Sequence, residues 1–284
     1  MVVVGGIHGN ETAGVAAIHQ VLRFLHRERP AMRGKFFGFA GNLKALKAGV
    51  RFIDTDLNRM WGDPSHTAPQ LKDTAEWEEF QDLERVLTAI TERETQPVTL
   101  VDCHTFSADG PPFAIAECIE TNKALLAGIP FPIVTGLSTL LKGTLSHHFL
   151  LRGHHAMAVE GGRHQDPEAV ENLAFFLWLL LIRSGFVTPE QAPEDIESHW
   201  NRLLESVHGL PRMVDVRFRH RIEPGDAFEM NPGFRNFDMV REGMPLARDR
   251  NGTIHAPMDG CILMPLYQGQ GTDGFFVAEN EILR

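Results

Sequence analysis

Val2-Val3-Val4-Gly5-Gly6-Ile7-His8-Gly9-Asn10-Glu11 is the stretch on which the fold turns. Three β-branched residues in a row read as a short buried strand, and the glycine pair ends it. Just beyond it a histidine and a carboxylate stand three residues apart. On a turn between a strand and a helix both side chains can point at one metal ion. Zinc accepts imidazole nitrogen and carboxylate oxygen, and a catalytic zinc needs only three protein ligands. The flanking glycines allow a tight turn and are expected to leave room for substrate. His-x-x-Glu is a short pattern, and its plainer reading is a polar turn in which Glu11 caps the next helix.

Working outward, apolar residues at helical spacing predict a helix over Thr12 to Arg29, stopped by Pro30. Lys35 to Ala40 reads as a second strand, Trp77 to Thr91 as a helix, and Val98 to Val101 and Ala156 to Val159 as further buried strands. Pro167 to Ser184 reads as a long helix, and Asp195 to His208 as a connecting one. Strands alternating with such helices predict an α/β domain on a parallel or mixed central sheet flanked by helices. In such sheets ligands sit at strand ends. The polar clusters His8-Gly9-Asn10-Glu11, Asp102-Cys103-His104 and Glu160-Gly161-Gly162 are expected just after strands, at one sheet edge. From about residue 209 the texture changes to alternating apolar residues broken by Pro224-Gly225, Pro232-Gly233, Asn251-Gly252 and Asp259-Gly260. That pattern predicts a small all-β domain, so the expected division is 1–208 catalytic and 209–284 β.

The bulk numbers fit this outline. A chain of 284 residues holds one large domain, or one large and one small. Its 43% hydrophobic and 23% charged residues are ordinary for a globular protein. A net charge of −10 argues against generic nucleic-acid or anionic-membrane binding, although buried arginines can still receive an anionic substrate. Cys103, Cys118 and Cys261 are odd in number and widely spaced, which fits a reducing compartment better than a disulfide framework. The N-terminus shows no basic segment followed by a signal-length apolar run. The longest apolar stretch, Leu173 to Ile182, is too short to span a bilayer and reads as a buried helix. A cytoplasmic location is expected.

Three further segments carry candidate chemistry. His104 ends a buried strand, where the sheet would lift it toward the first loop; there it is either a third metal ligand or a hydrogen-bonded strand-end histidine. Asp102 is a candidate to orient it. In Arg51-Phe52-Ile53-Asp54-Thr55-Asp56-Leu57-Asn58-Arg59, two arginines and an asparagine suit recognition of a carboxylate, or else the arginines pair with Asp54 and Asp56. Glu160, between an apolar strand and two glycines, is poised to lean into a cleft and move a proton near a zinc-bound water. Its plainer reading is a surface glutamate at a loop entry.

Together, Gly-Gly-Ile-His-Gly-Asn-Glu at 5–11, Asp-Leu-Asn-Arg at 56–59, Asp-Cys-His-Thr at 102–105 and Val-Glu-Gly-Gly at 159–162 resemble the succinylglutamate desuccinylase/aspartoacylase family, a branch of the zinc carboxypeptidase-like fold. The resemblance implies that His8, Glu11 and His104 bind zinc and that Glu160 is the general base and acid. It implies that Arg51 polarises the scissile carbonyl and that Asn58 and Arg59 hold a substrate carboxylate. The reaction implied is hydrolysis of a small anionic N-acyl amino acid to a free acid and an amine, by a homo-oligomer.

Some features depart from the family pattern. Further sheet strands normally precede its His-x-x-Glu loop; here the chain begins at that strand, through a shortened start or a smaller sheet edge. No arginine aligns cleanly with the family's further substrate arginine, for which Arg152 and Arg163 are candidates. Tyr267, the chain's one tyrosine, does not match the family's substrate tyrosine. The histidines at 147, 148, 154 and 155 are expected to form a polar loop near the cleft rather than a second metal site. Ala256-Pro257-Met258-Asp259-Gly260 resembles a biotinyl- or lipoyl-type turn but lacks the carrier lysine. Two other functions remain open on the sequence: a metallocarboxypeptidase trimming short peptides, and a non-catalytic metal-binding protein whose β domain recognises a partner.

Overall fold

The computed structural model describes residues 1–62, 69–117 and 120–280; Cys118 lies outside them. In chain order the strands are β1 (Val2–Gly5), β2 (Phe37–Ala40), β3 (Thr99–Phe106), β4 (Phe113–Ile115), β5 (Ile133–Thr135), β6 (His155–Arg163), β7 (Met213–Arg221), β8 (Glu229–Met230), β9 (Met239–Val240), β10 (Pro245–Asp249), β11 (Gly252–His255), β12 (Gly260–Leu263) and β13 (Asp273–Asn280). The helices are α1 (Ala13–Glu28), α2 (Leu43–Ala48), α3 (Ala75–Thr91), α4 (Glu120–Leu126), α5 (Leu137–Leu140), α6 (Leu145–Leu151), α7 (Pro167–Arg183) and α8 (Ile196–Ser206).

Alternation along the first strands sets up two cores. β1 pairs in parallel with β2 on one side and β3 on the other, and β3 pairs in parallel with β6. Successive strand side chains point to opposite faces. Val3, Val101, Met157 and Val159 therefore meet α1 and α7 on one face, where Ala17, Ile18, Leu173 and Phe176 close the core. Val2, Val4, Leu100 and Ala156 meet Leu57, Trp61, Leu83, Leu87 and Phe149 on the other. Helices thus cover both faces, which is why β1 reads as an unbroken apolar run. α1 lies very close to the sheet: a Cβ on Gly14 would come within 2.9 Å of both the Cβ and the carbonyl oxygen of Cys103. The expected buried helix at Leu173–Ile182 is the heart of α7.

Among the described residues ten strands form one mixed sheet in the order β2-β1-β3-β6-β4-β5-β7-β13-β12-β9, with β4 antiparallel to β6. The C-terminal strands extend this sheet, because β7 runs parallel to β5 with Ile133 opposite Met213. Beyond residue 209 the chain has a core of its own, including Leu246, Ile262, Phe275 and Val277. It shares a second core with the first part of the chain, where Phe106, Phe113 and Leu137 pack against Val214, Leu263 and Phe276. β8, β10 and β11 form a separate antiparallel sheet. Cys103 and Cys261 are buried and unpaired. No helix among the described residues is long and apolar enough to cross a membrane.

Candidate metal centre and hydrolytic site

Three separate stretches of chain meet at one end of the parallel strands. His8 and Glu11 occupy the turn after β1, whose first step, Gly6, has the left-handed φ of +70° that a residue with a Cβ resists. The space beside Gly9 is not left for substrate, contrary to expectation. A Cβ there would lie 2.0 Å from the carbonyl carbon of Ala45, so the backbone of α2 fills it. His104 and Glu160 stand inside β3 and β6 rather than just after them, opposite each other in register. Strand pairing carries on past the apolar run because β4 pairs with β6 as far as Phe113 opposite Glu160.

The histidines are arranged with their Nδ1 atoms toward Glu11. Nδ1 of His8 is 2.8 Å from Glu11 Oε1, and Nδ1 of His104 is 3.0 Å from Glu11 Oε2. Each Nε2 faces a different carboxylate: Asp56 Oδ1 at 3.1 Å from His8, and Asp102 Oδ2 at 2.8 Å from His104. A carboxylate on Nε2 holds the hydrogen of a neutral imidazole there and leaves the Nδ1 lone pair facing the other way. Two lone pairs then converge on a carboxylate, an arrangement that a cation relieves.

The electrostatics agree. Burial opposes the charge on His104, but Asp102 and Glu11 outweigh it and hold the imidazole well above its ordinary range. Burial likewise opposes ionisation of Glu11, yet His8 and His104 keep its carboxyl well below the usual carboxylate range. Without a metal, a proton on His104 supplies the missing positive charge. His8, Glu11 and His104 each offer a ligand atom within 4.8 Å of the others, and they form the cluster able to bind a metal among the described residues. The donor set fits zinc.

The loop 51–59 closes one side. Arg51 donates from Nη1 to Glu11 Oε1 at 3.2 Å and from Nη2 to Asp56 Oδ2 at 3.3 Å, so it pairs with Asp56 as well as facing the cluster. Asp56 also caps the 3-10 turn Leu57–Arg59, its Oδ1 accepting from Asn58 N at 2.8 Å. Asn58 accepts through Oδ1 from Leu145 N at 2.9 Å, and its Nδ2 lies 3.5 Å from Asp102 Oδ2. The loop is anchored from behind by Glu76, a fully buried carboxylate on α3. It accepts from Asn42 Nδ2 and from the backbone N–H groups of Ile53, Asp54 and Thr55, at 2.6–3.2 Å.

All seven candidate residues, His8, Glu11, Arg51, Asn58, Arg59, His104 and Glu160, line one cavity. Three of them carry a buried polar atom with no partner among the described residues: Glu160 Oε2, Arg51 Nε and Arg59 Nε. Buried polar groups normally find partners, so orphans gathered round a cavity mark where a ligand goes. Burial pushes the Glu160 carboxyl up to about 8, with neighbouring Glu11 and Asp102 adding to it and His104 and Arg51 opposing.

Other candidates fall elsewhere. Arg152 pairs with Glu84 at 3.0 Å and Arg163 with Asp109 at 3.0 Å, both well exposed and neither lining the cavity. Tyr267 bonds within the C-terminal region, donating to Asn231 O at 2.7 Å. Of the clustered histidines, His147 lines the cavity. Residues missed in the sequence complete the surroundings. Thr105 N donates to Glu11 Oε2 at 3.0 Å, and Gln270 Oε1 accepts from Arg51 N at 3.0 Å. Asp273 Oδ2 accepts from Arg59 Nη2 at 2.7 Å. Gln270 and Asp273 lie more than two hundred residues from their partners, so no local signal could have paired them.

The fold is thus a helix-covered mixed sheet, with a carboxylate, two imidazoles and a second, protonatable carboxylate gathered at its strand ends. The profile of the succinylglutamate desuccinylase/aspartoacylase catalytic domain matches residues 1–131 of this chain. The chain is 40% identical over 62 residues to a succinylglutamate desuccinylase of Erwinia tasmaniensis, covering 22% of this chain and 19% of the relative. It is 32% identical over 118 residues to that of Serratia proteamaculans, covering 40% and 35% respectively. The matched segments thus span about a fifth to a third of these relatives' lengths. In fold, it superposes with a TM-score of 0.68 on a succinylglutamate desuccinylase/aspartoacylase from Rhodobacter sphaeroides, at 20% identity over 98% of this chain and 85% of the other.

Proposed function

We propose that the protein is a zinc-dependent hydrolase that cleaves the amide bond of a small N-acyl amino acid. The observation that carries this reading is the set of buried, partnerless atoms on Glu160, Arg51 and Arg59 around the same cavity as the His8–Glu11–His104 cluster. A metal-storing site needs no second carboxylate with an elevated proton affinity.

Zinc held by His8, Glu11 and His104 would supply Lewis acidity toward water and the scissile carbonyl. Glu160 takes a proton from the attacking water at its orphaned oxygen as the oxygen–carbon bond forms. It returns that proton to the departing nitrogen as the carbon–nitrogen bond breaks, giving a carboxylic acid and an amine. Arg51 places a fixed positive charge beside the developing oxyanion, where preorganised charge is most effective. Asn58 and Arg59 meet a substrate carboxylate. The side-chain amide nitrogen of Asn58 carries two hydrogens, of which Asp102 engages one.

The cavity favours single acylated amino acids over peptides because C-terminal residues Met264, Leu266, Gln268 and Gly271–Asp273 wall it. The test is a panel of N-acetyl, N-formyl and N-succinyl amino acids, alongside short peptides, offered to zinc-loaded protein. Turnover of at least one acylated amino acid, abolished by chelation and restored by zinc, is the expected result. Release of C-terminal residues from peptides with no turnover of the panel would overturn it.

A further inference from the structure

Arg59, assigned above to a substrate carboxylate, already holds one from the protein itself. Its Nη2 donates to Asp273 Oδ2 at 2.7 Å and its Nη1 to Asn58 O at 2.8 Å. The other oxygen of Asp273 accepts from Arg219 Nε, and Arg219 is tied in turn to Leu140 O at 2.9 Å. Asp273 begins β13 and lines the cavity, with its side chain 13% exposed. Two guanidiniums sharing one carboxylate carry a single net positive charge, which balances one incoming carboxylate.

The remaining charges of the cavity do not welcome a second. Apart from its histidines, the cations lining it among the described residues are Arg51 and Arg59, whereas Glu11, Glu117, Glu160 and Asp273 are acidic. Arg51 is itself committed to Glu11 and Asp56. Beside these charged groups and several hydroxyls, the lining has an apolar part, Ile115, Leu137, Leu141, Met264, Leu266 and Phe276, most of which belong to one packed cluster. A substrate carboxylate pressed on that wall would lose its water and gain no partner, whereas an apolar group would leave water at a profit.

We propose that Asp273 is a built-in competitor for Arg59 that restricts the site to substrates with one carboxylate and an apolar side chain or acyl group, and turns away dicarboxylic ones. The inference rests on the hydrolase reading only for its kinetic arm.

The experiment compares kcat/KM for N-acetyl-leucine and N-acetyl-methionine with that for N-acetyl-aspartate and N-succinyl-glutamate, using the zinc-loaded full chain and its Asp273→Asn and Asp273→Ala variants. The wild type should prefer the apolar substrates at least ~10-fold. Asp273→Asn should narrow that ratio by ~10-fold or more, chiefly through a lower KM for the dicarboxylic pair. A second arm measures calorimetric binding of the same four compounds to the zinc-loaded Glu160→Gln protein, which reads the cavity without turnover and without altering Asp273. A wild type that favours the dicarboxylic pair in rate or in binding overturns the proposal, as does a folded Asp273→Asn protein with an unchanged ratio. Binding with the expected preference but no hydrolysis by wild type would sink the hydrolase reading and leave the proposal standing.

Discussion

Nδ1 of His104 stands 3.0 Å from Oε2 of Glu11, although 93 residues of chain separate them. The parallel pairing of β1 with β3 brings them together, setting Gly5 opposite Cys103 and so bringing the turn after β1 beside His104. Wild-type protein is expected to keep about one equivalent of zinc through gel filtration, and His8→Ala and His104→Ala to lose it. Asp102→Asn and Asp56→Asn leave all three donors in place but remove the carboxylates that fix the rings. Their zinc affinity should fall ~10- to 100-fold, measured by competition with a chromophoric chelator. Unchanged affinity in both asparagine variants would show that these carboxylates do not orient the histidines.

Glu160 offers a sharper separation of chemistry from binding. Glu160→Gln keeps the side chain's shape and touches none of the three donors, so its zinc content should match wild type. It cannot take a proton, so kcat should fall by ~100-fold or more. Elemental analysis and single-turnover kinetics on the same preparation test both halves. A variant that keeps its zinc and its full rate would remove Glu160 from the mechanism.

How much of this was legible in the sequence depended on how locally each feature is written. His8 and Glu11 announce themselves because three residues and one strand end place them together. The helices α1, α3 and α7 follow from apolar spacing, and their observed limits lie close to the expected ones. Arg51 could be read either as a substrate group or as an ion pair, and the structure has it paired while still lining the cavity. The change of texture after residue 209 was visible. The joining of β7 to β5 was not, since composition does not say which strand a strand will choose. Glu76 was invisible for another reason. It is one of three acidic residues near the start of α3, with Glu78 and Glu79, and only the loop lying across it distinguishes it.

That loop gives the third prediction. Glu76 accepts from three consecutive backbone N–H groups just ahead of Asp56, Asn58 and Arg59. Glu76→Ala leaves those half-buried donors without their acceptor, at a cost of about 1–3 kcal/mol in unfolding free energy. Glu76→Gln retains one acceptor oxygen and should fall between the two. Urea denaturation measures the stability, and kcat/KM measures the loosening of the loop, which should be lost in the same order. An alanine variant as stable and active as wild type would deny Glu76 this anchoring role.

The same buried carboxylate chemistry predicts a pH dependence for the metal-free protein. Glu160 has its folded-state pKa raised to about 8 from an ordinary 4.5, by burial first and by Glu11 and Asp102 in addition. Between those values the folded protein retains a proton that the unfolded chain has released. Stability from this group is therefore complete below about pH 4.5, declines as pH rises, and is gone once pH passes about 8. Glu160→Gln has no such proton to lose. Without metal, wild type and variant should melt alike near pH 5, and the variant should become the more stable by pH 9, by an amount on the order of a few kcal/mol. Adding zinc should shrink the difference, because a cation beside the carboxylate stabilises its charged form. Melting curves that stay parallel from pH 5 to pH 9 in chelator would mean that Glu160 is ionised throughout, and that its orphaned oxygen is solvated in solution.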